Sequence, residues 1–218
     1  MRCIQDLSTL FYVFLKITYG VWKLSKLPTP IVSIFGGVSV KDTDFYFKKA
    51  DELSQRLIQH NISVITGGGV GIMQAASCGI LHFSSVKHTA KIIGIGLKNL
   101  YEKPNICVQE YFEVGELFAR KWLLTHYATA FVVFPGGFGT LDELAETLTL
   151  MQTKQLKTIP IVLFGKEYWS PFLNWAQNEL LDHSLIKAQD LDLFHITDDL
   201  DELFSLICEH CKRPEHSA

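Results

Sequence analysis

Two glycine-rich turns carry the residues best suited to binding an anionic ligand. Glycine turn 1 reads TGGGVG at 66–71 and glycine turn 2 reads PGGFGT at 135–140, and each follows a short apolar run and precedes a helix-forming segment. Glycine lets the backbone approach a ligand closely, and a helix start offers unpaired N–H groups and a partial positive charge. The two turns together predict a crevice for a phosphorylated ligand. A third glycine-rich segment, the pair Gly36-Gly37, follows the first apolar run and could line the same crevice.

The composition bounds the kind of protein. The chain has 218 residues, of which 48% are hydrophobic, and a formal net charge of −3. These values are typical of one globular α/β domain, and the absence of blocks of like charge argues against a nucleic acid polymer as partner. The five cysteines are scattered, which is unlike a small disulfide-rich secreted protein and favours a reducing, cytoplasmic compartment. The spacing Cys208-x-x-Cys211 has no second half elsewhere, so we predict no metal site.

The first 27 residues predict an amphipathic helix. Apolar residues recur at three-to-four spacing from Leu7 to Leu24, interrupted by Lys16 and Lys23. The apolar stretch is shorter than the roughly 20 residues that a membrane-spanning helix requires, and no small-residue cleavage site precedes the break at 28–30. We therefore predict that 1–27 is a helix packed on the domain or on a protein partner, with no membrane partner.

Beyond this break, short apolar runs alternate with longer amphipathic segments. Strands are predicted at 31–35, 62–66, 92–97, 131–134, 159–164 and 194–197. Helices are predicted at 44–60, 70–83, 113–128, 140–154, 168–181 and 198–211. This alternation predicts an α/β fold, a Rossmann-like doubly wound parallel sheet with helices on both faces, as a single nucleotide-binding domain at 28–218. In such sheets ligands bind beyond the carboxyl ends of the strands, where both glycine turns fall.

The spacing of the glycines narrows the ligand class. Neither turn has the G-x-G-x-x-G spacing of a dinucleotide site at the first strand, which disfavours NAD. The Walker A pattern is also absent from the sequence, and with it the lysine and hydroxyl that hold a triphosphate and magnesium. A nucleoside monophosphate needs fewer contacts, and two backbone cradles would suffice for it.

Glycine turn 2 continues as PGGFGTLDE at 135–143 and is preceded by Arg120-Lys121. In these residues the chain resembles the Lonely Guy (LOG) family of cytokinin riboside 5′-monophosphate phosphoribohydrolases, which are often described as lysine decarboxylases. The resemblance covers about 31–206. It implies hydrolysis of the N-glycosidic bond of a nucleoside 5′-monophosphate, of the AMP or cytokinin riboside type, to free base and ribose 5-phosphate without a cofactor. It also implies a homodimer with the site near the subunit interface.

The resemblance assigns a role to each residue that matches the family's motifs. Arg120 and Glu143 match its catalytic residues. Substrate-binding positions are matched by Gly68, Gly69, Gly71, Glu102, Lys121, Gly136, Gly137, Phe138, Gly139, Thr140, Asp142 and Thr149. A carboxylate beside the anomeric carbon stabilises an oxocarbenium-like transition state and can deprotonate water. We expect Glu143 to lie in the first turn of its helix, where the dipole favours the ionised carboxylate. Arg120 stays protonated and is a poor proton donor to the leaving base.

Other interpretations of the same residues stay open. Thr140-x-x-Glu143 also fits a capping box, a purely structural helix start, although three preceding glycines favour a functional turn. Where bacterial relatives typically read FGSAR, this chain reads FGGVS at 35–39, and it has Val70, Gln74 and Ser77 in place of Pro, Glu and Asn. The accepted base and sugar therefore stay open. A nucleotide-binding module without turnover, related to molybdenum-cofactor carrier proteins, and a structural dimer with a vestigial site are the alternatives. Lysine decarboxylation is least supported, because no lysine has a recognisable pyridoxal-phosphate setting.

Overall fold

The computed structural model describes residues 2–83, 88–98, 100 and 103–211, and a parallel sheet lies at its centre. The strands are β1 Ile31–Phe35, β2 Ser63–Thr66, β3 Ile92–Leu97, β4 Glu110–Val114, β5 Ala130–Val133, β6 Ile161–Phe164 and β7 His195–Thr197. Their order is β4-β3-β2-β1-β5-β6-β7, and every neighbouring pair is parallel. The chain winds outwards from β1 to one edge and then returns to wind from β5 to the other. The predicted doubly wound parallel sheet is confirmed.

Helices connect the strands and cover both faces of the sheet. They are α1 Arg2–Leu24, α2 Phe45–Gln59, α3 Ile72–Cys78, α4 Leu117–His126, α5 Phe138–Gln152, α6 Lys166–Trp175 and α7 Leu200–Cys211. Two 3₁₀ segments, Gly79–Phe83 and Ala188–Leu193, and one π segment, Ala176–Leu181, complete the regular structure described. The segment predicted as one helix at 70–83 thus divides into α3 and a 3₁₀ turn.

Two apolar cores lie on opposite faces of the sheet. On one face, β-strand side chains such as Val132 pack with α2, α3 and α7, and on the other, side chains such as Phe131 pack with α1, α4, α5 and α6. Both of these neighbouring residues are fully buried. Central parallel strands are covered on both sides, which is why they read as continuous apolar runs without polar alternation.

The edge strand β4 is a correction to the sequence prediction. A helix was predicted at 113–128, but Glu110–Val114 is a strand and α4 begins only at Leu117. An edge strand is half-exposed, so β4 carries glutamates that a buried strand would not tolerate. The carboxylate of Glu110 accepts hydrogen bonds from Lys23 and Lys91, each at 2.8 Å.

The N-terminal helix α1 packs against α4 and β4. Val13 and Leu24 on its inner side are 4% and 1% exposed, whereas Leu7, Phe11 and Phe14 on its outer side are each at least 60% exposed. No helix within the described ranges is long and apolar enough to cross a lipid bilayer.

A covalent cross-link joins two segments that are distant in the sequence. Cys78 at the end of α3 forms a disulfide with Cys107 in the loop before β4, with the two Cα atoms 4.8 Å apart. The scattered cysteines favoured a reducing compartment, and no local pattern indicated this pairing, because the two residues are 29 positions apart.

Candidate active site

A cavity of about 430 Å³ opens where β1, β2 and β5 end. Three glycine-rich segments form much of its wall: the pair Gly36-Gly37 after β1, Gly67 of glycine turn 1 after β2, and Gly137 and Gly139 of glycine turn 2 after β5. The strands are adjacent and parallel, so their carboxyl ends lie at the same edge of the sheet. All three glycine segments identified in the sequence therefore border one crevice.

Glycine turn 2 begins α5 earlier than the sequence suggested. The N-cap is Gly137, without a side-chain capping bond, and the helix starts at Phe138. Thr140 therefore lies inside the first helical turn, and the capping-box interpretation is wrong. A Cβ added at Gly137 or Gly139 would meet nothing within 4 Å, so the backbone here borders open space. The N–H groups at the start of a helix have no intrahelical partners and are available to an anion in that space.

The base of glycine turn 2 is locked against the turn after β1. The Gly37 N–H donates to the Pro135 carbonyl at 2.9 Å. A Cβ at Gly136 would collide with Thr140 and lie 2.9 Å from the Gly37 nitrogen, so only glycine fits there. The Tyr168 hydroxyl on α6 donates to the Gly136 carbonyl at 2.5 Å. Contacts from β1 and α6 thus hold the turn in one conformation.

Glu143 lies one helical turn further along α5 and lines the cavity. Loss of hydration in the cavity wall raises the pKa of its carboxyl to about 7, while the Arg120 charge lowers that pKa and Asp142 raises it. The expectation that the helix dipole would favour the ionised form is wrong, because Glu143 lies beyond the first turn of α5 and desolvation dominates. A carboxyl with this pKa can both take up and release a proton near neutral pH.

Arg120 reaches the same cavity from α4 and is 9% exposed. Its guanidinium occupies the space beside Gly67 where a larger residue would place a Cβ. Its Nε is buried without a hydrogen-bond partner among the described residues. Such an unsatisfied charged donor is costly in a folded protein. Arg120 lines the cavity, and its positive charge there would favour a bound anion.

Several sequence-predicted site residues are placed elsewhere or lie outside the described ranges. Lys121 forms ion pairs with Asp142 at 3.1 Å and Glu146 at 2.9 Å, which tie α4 to α5. Of these residues, only Asp142 is among the described residues that line the cavity. Thr149 is exposed further along α5, and its hydroxyl donates to the Ala145 carbonyl at 2.7 Å.

The remaining predicted positions divide between the cavity and the structure behind it. Phe138 and Thr140 line the cavity, whereas Gly68, Gly69, Gly71 and Gly136 are not among its described lining residues. Gly68 and Gly71 have φ values of +75° and +67°, so glycine there serves the shape of the turn. Glu102 lies outside the described residues.

An apolar wall completes the cavity and was missed by the sequence reasoning. Met73, Leu100 and Leu117 line it beside Val38. These residues come from α3, the segment after β3 and the start of α4, and nothing in an isolated apolar residue distinguishes a cavity wall from a core. An apolar wall facing a few polar groups is typical of sites for small organic ligands.

Fold and cavity together define a Rossmann-like α/β protein with a cavity at the carboxyl ends of its strands, where proteins of this fold class bind their ligands. The profile of the family described as possible lysine decarboxylase matches residues 73–207. The chain belongs to this family, the LOG family.

Two relatives with curated names come from the plant Arabidopsis thaliana. Cytokinin riboside 5′-monophosphate phosphoribohydrolase LOG1 of Arabidopsis thaliana is 33% identical over 124 residues, which are 56% of this chain and 56% of that protein. LOG2 of the same plant, with the same enzyme name, is 26% identical over 85% of this chain and 84% of its own length. The chain thus spans little more than half the length of LOG1 in that match.

Solved structures similar in fold include two proteins that bind or carry the molybdenum cofactor. The molybdenum cofactor binding protein of Rippkaea orientalis has a TM-score of 0.60 and 23% identity, covering 84% of this chain and 97% of that one. The molybdenum cofactor carrier protein of Chlamydomonas reinhardtii has a TM-score of 0.61 and 19% identity, covering 85% and 100%. At these identities the likeness concerns the fold.

Proposed function

We propose that this protein hydrolyses the N-glycosidic bond of a nucleoside 5′-monophosphate of the AMP or cytokinin riboside type, releasing free base and ribose 5-phosphate. The observation that carries the proposal is the meeting of Glu143, Arg120 and the open backbone of glycine turn 2 at one cavity. Membership of the LOG family supports a hydrolase, and the named activity of plant relatives supports the monophosphate.

In the proposed reaction Glu143 acts at the anomeric carbon. The bond between that carbon and the base nitrogen breaks, and the base leaves with the bonding electron pair and takes up a proton from solvent. The carboxylate of Glu143 stabilises the positive charge that develops on the ribose and accepts a proton from the water that attacks the same carbon. Its pKa of about 7 fits a group that must hold this proton and then return it to solvent near neutral pH.

The proposed binding mode uses the two chemically different walls of the cavity. The backbone at Gly137, Phe138 and Gly139 holds the phosphate, assisted by the Arg120 guanidinium. The apolar wall at Met73 and Leu117 contacts the base. The other family-matched positions, which include Gly68, Gly69, Gly71, Glu102, Lys121 and Thr149, remain proposed substrate contacts.

The name lysine decarboxylase is not supported by the cavity. A pyridoxal-phosphate enzyme needs a lysine amine to form the Schiff base with its cofactor. No lysine is found among the described residues that line the cavity. The proposed hydrolysis needs only water and side chains that are present.

The experiment that tests the proposed function is a substrate panel. Purified protein is incubated with AMP, GMP, CMP and N6-isopentenyladenosine 5′-monophosphate, and free base is measured by chromatography. We expect base release from at least one purine monophosphate, with adenosine, which lacks the phosphate, cleaved at least about 100-fold more slowly because remote binding energy is lost. Nucleotide binding without base release from any member would instead favour a non-catalytic nucleotide-binding or carrier protein.

We also propose that the protein is a homodimer. The outer side of α1 exposes Leu7, Leu10, Phe11 and Phe14, each at least 60%, and a contiguous apolar surface of this kind is typical of an interface between subunits. Sedimentation equilibrium at micromolar concentration should give twice the chain mass of 24.7 kDa. Phe11→Glu with Phe14→Glu should reduce that mass to one chain, and a wild-type monomer would contradict the proposal.

A further inference from the structure

A short loop before β4 is tied to glycine turn 1. Asn105 in this loop is 8% exposed, and its side-chain amide donates hydrogen bonds to the carbonyls of Gly68 at 3.1 Å and Gly69 at 2.9 Å. Its backbone N–H donates to the Gly68 carbonyl at 2.9 Å. One buried residue therefore holds two consecutive peptide units of the turn.

The same loop is closed covalently onto α3. The Asn105 Oδ1 accepts a hydrogen bond from the Cys107 N–H at 3.1 Å, and Cys107 is bonded to Cys78, the last residue of α3. Because α3 begins directly after glycine turn 1, the turn, the helix, the disulfide and the loop form a closed ring. We call Cys78, Asn105 and Cys107 the clasp.

Glycine turn 1 in its turn supports Arg120. The Arg120 guanidinium rests on the backbone of Gly67, where a Cβ would collide with its Nη2. Packing this close leaves no room for the turn to shift without displacing the guanidinium. The position of the Arg120 charge relative to Glu143 therefore depends on the position of the turn.

We propose that the clasp is a redox-responsive device that positions glycine turn 1 beneath the Arg120 guanidinium, so that the disulfide favours the active arrangement of the site and its reduction loosens it. The proposal concerns the regulation of the site whose function is proposed above. Asn105 acts through the turn and is a positioning residue. The sequence motifs of the site did not indicate the loop before β4, which carries Asn105.

Thiol–disulfide exchange supplies the chemistry. Cys107 is 3% exposed and Cys78 is partly exposed, so the thiolate of a small thiol such as glutathione attacks the Cys78 sulfur. The bond between the two protein sulfurs breaks, Cys107 leaves as a thiolate that takes a proton from solvent, and a mixed disulfide forms on Cys78. A second small thiol then attacks the small-molecule sulfur and releases Cys78. The protein disulfide gains two electrons and two protons, and two small thiols become one small disulfide.

Hydrogen–deuterium exchange tests the clasp without any substrate. We expect the peptide containing 67–71 to exchange roughly tenfold faster after reduction by dithiothreitol, and to return to the slow rate on reoxidation with oxidised glutathione. Cys78→Ser with Cys107→Ser should show the fast rate in both conditions. The matched control, Cys208→Ser with Cys211→Ser on α7, should respond to reduction as the wild type does. Equal exchange in oxidised and reduced wild-type protein would overturn the proposal.

Asn105→Leu tests positioning as opposed to general stability. Charged groups that act on Glu143 are Arg120, Asp142, Lys121 and Glu146. Of these, the clasp acts on Arg120 through Gly67. Because the Arg120 charge lowers the pKa of Glu143, displacing it should raise that pKa. Asn105→Leu and reduction of the wild type should therefore both move the midpoint of the pH–rate profile upwards. The exposed Asn174→Leu on α6 is the control and should leave it unchanged.

The two proposals fail separately. An unchanged exchange rate at 67–71 in Asn105→Leu would overturn the clasp even if nucleotides are hydrolysed. Faster exchange in that variant, together with no base release by the wild type, would leave the clasp standing and remove the proposed reaction.

Discussion

Replacing Glu143 with glutamine should lower kcat for base release by about 10²–10⁴-fold, the range typical of removing a positioned base. Glutamine keeps the size of the side chain but can neither accept a proton from water nor stabilise the oxocarbenium charge with a full negative charge. The dissociation constant for the nucleotide should change little, because the phosphate and base contacts are left in place. Steady-state kinetics and calorimetric binding measure the two effects separately.

Measuring the stability of Glu143→Gln distinguishes loss of catalysis from loss of the folded structure. The pKa of Glu143 is raised in the folded protein, so the folded state retains a proton that the unfolded chain has already released between pH 4.5 and about 7. Wild-type stability contributed by this group is thus lost as pH rises through that window, by up to about 3 kcal/mol. Glu143→Gln should match the wild type at low pH and exceed its stability at pH 8 in urea unfolding. The exposed Glu179→Gln should change neither stability nor activity. An inactive variant that is also less stable at pH 8 would contradict this account of Glu143.

Replacing Arg120 with alanine should lower kcat/KM by about 10²–10³-fold and shift the pH–rate midpoint upwards. The lost rate reflects the loss of a buried cation beside the reacting groups. The shift follows because the Arg120 charge favours ionised Glu143, so removing that charge raises the carboxyl pKa further above about 7. The measurement is kcat/KM for the best monophosphate between pH 5.5 and 9.

Arg120→Lys is the matched variant for this prediction. Lysine keeps the positive charge but lacks the planar guanidinium that rests on Gly67. It also lacks the geometry that lets arginine hold an anion with two donors. We expect a reduced kcat/KM with a midpoint close to that of the wild type. A midpoint that moves downwards in Arg120→Ala would mean that Arg120 does not act electrostatically on Glu143.

The central sheet was predictable because its strands are buried on both faces. The IVSIF sequence of β1 does not alternate between apolar and polar residues, so it is recognisable as a buried strand, and the same holds for β3. The edge strand β4 was missed because half-exposed positions tolerate Glu110 and Glu113, which in isolation favour a helix. A strand that is buried on one face alone lacks the continuous apolar run from which the other strands were predicted.

The candidate site was predictable in its residue types but not in its electrostatics. The sequence motif indicated both Arg120 and Glu143, yet the wrong start of α5 put Glu143 in the first helical turn and predicted an ionised carboxylate. The N-cap is Gly137, which has no side chain to form a capping bond, whereas the Thr140-x-x-Glu143 pattern favoured a later helix start. Three features of the site arise from segments that are distant in the chain, and local sequence patterns do not encode them. They are the desolvation of the Glu143 carboxyl, the packing of Arg120 against Gly67, and the disulfide between Cys78 and Cys107.

The most direct test of the central claim is a product balance with AMP, or with the best monophosphate from the panel. Adenine and ribose 5-phosphate are quantified together over time with wild-type protein and with Glu143→Gln. We predict that the wild type releases the two products in equal amounts and in proportion to protein concentration, while the variant binds the nucleotide and releases neither above background. Binding by both proteins with no products from either, or equal release by both, would contradict the claim that this cavity is an N-glycosidase site with Glu143 at its reacting carbon.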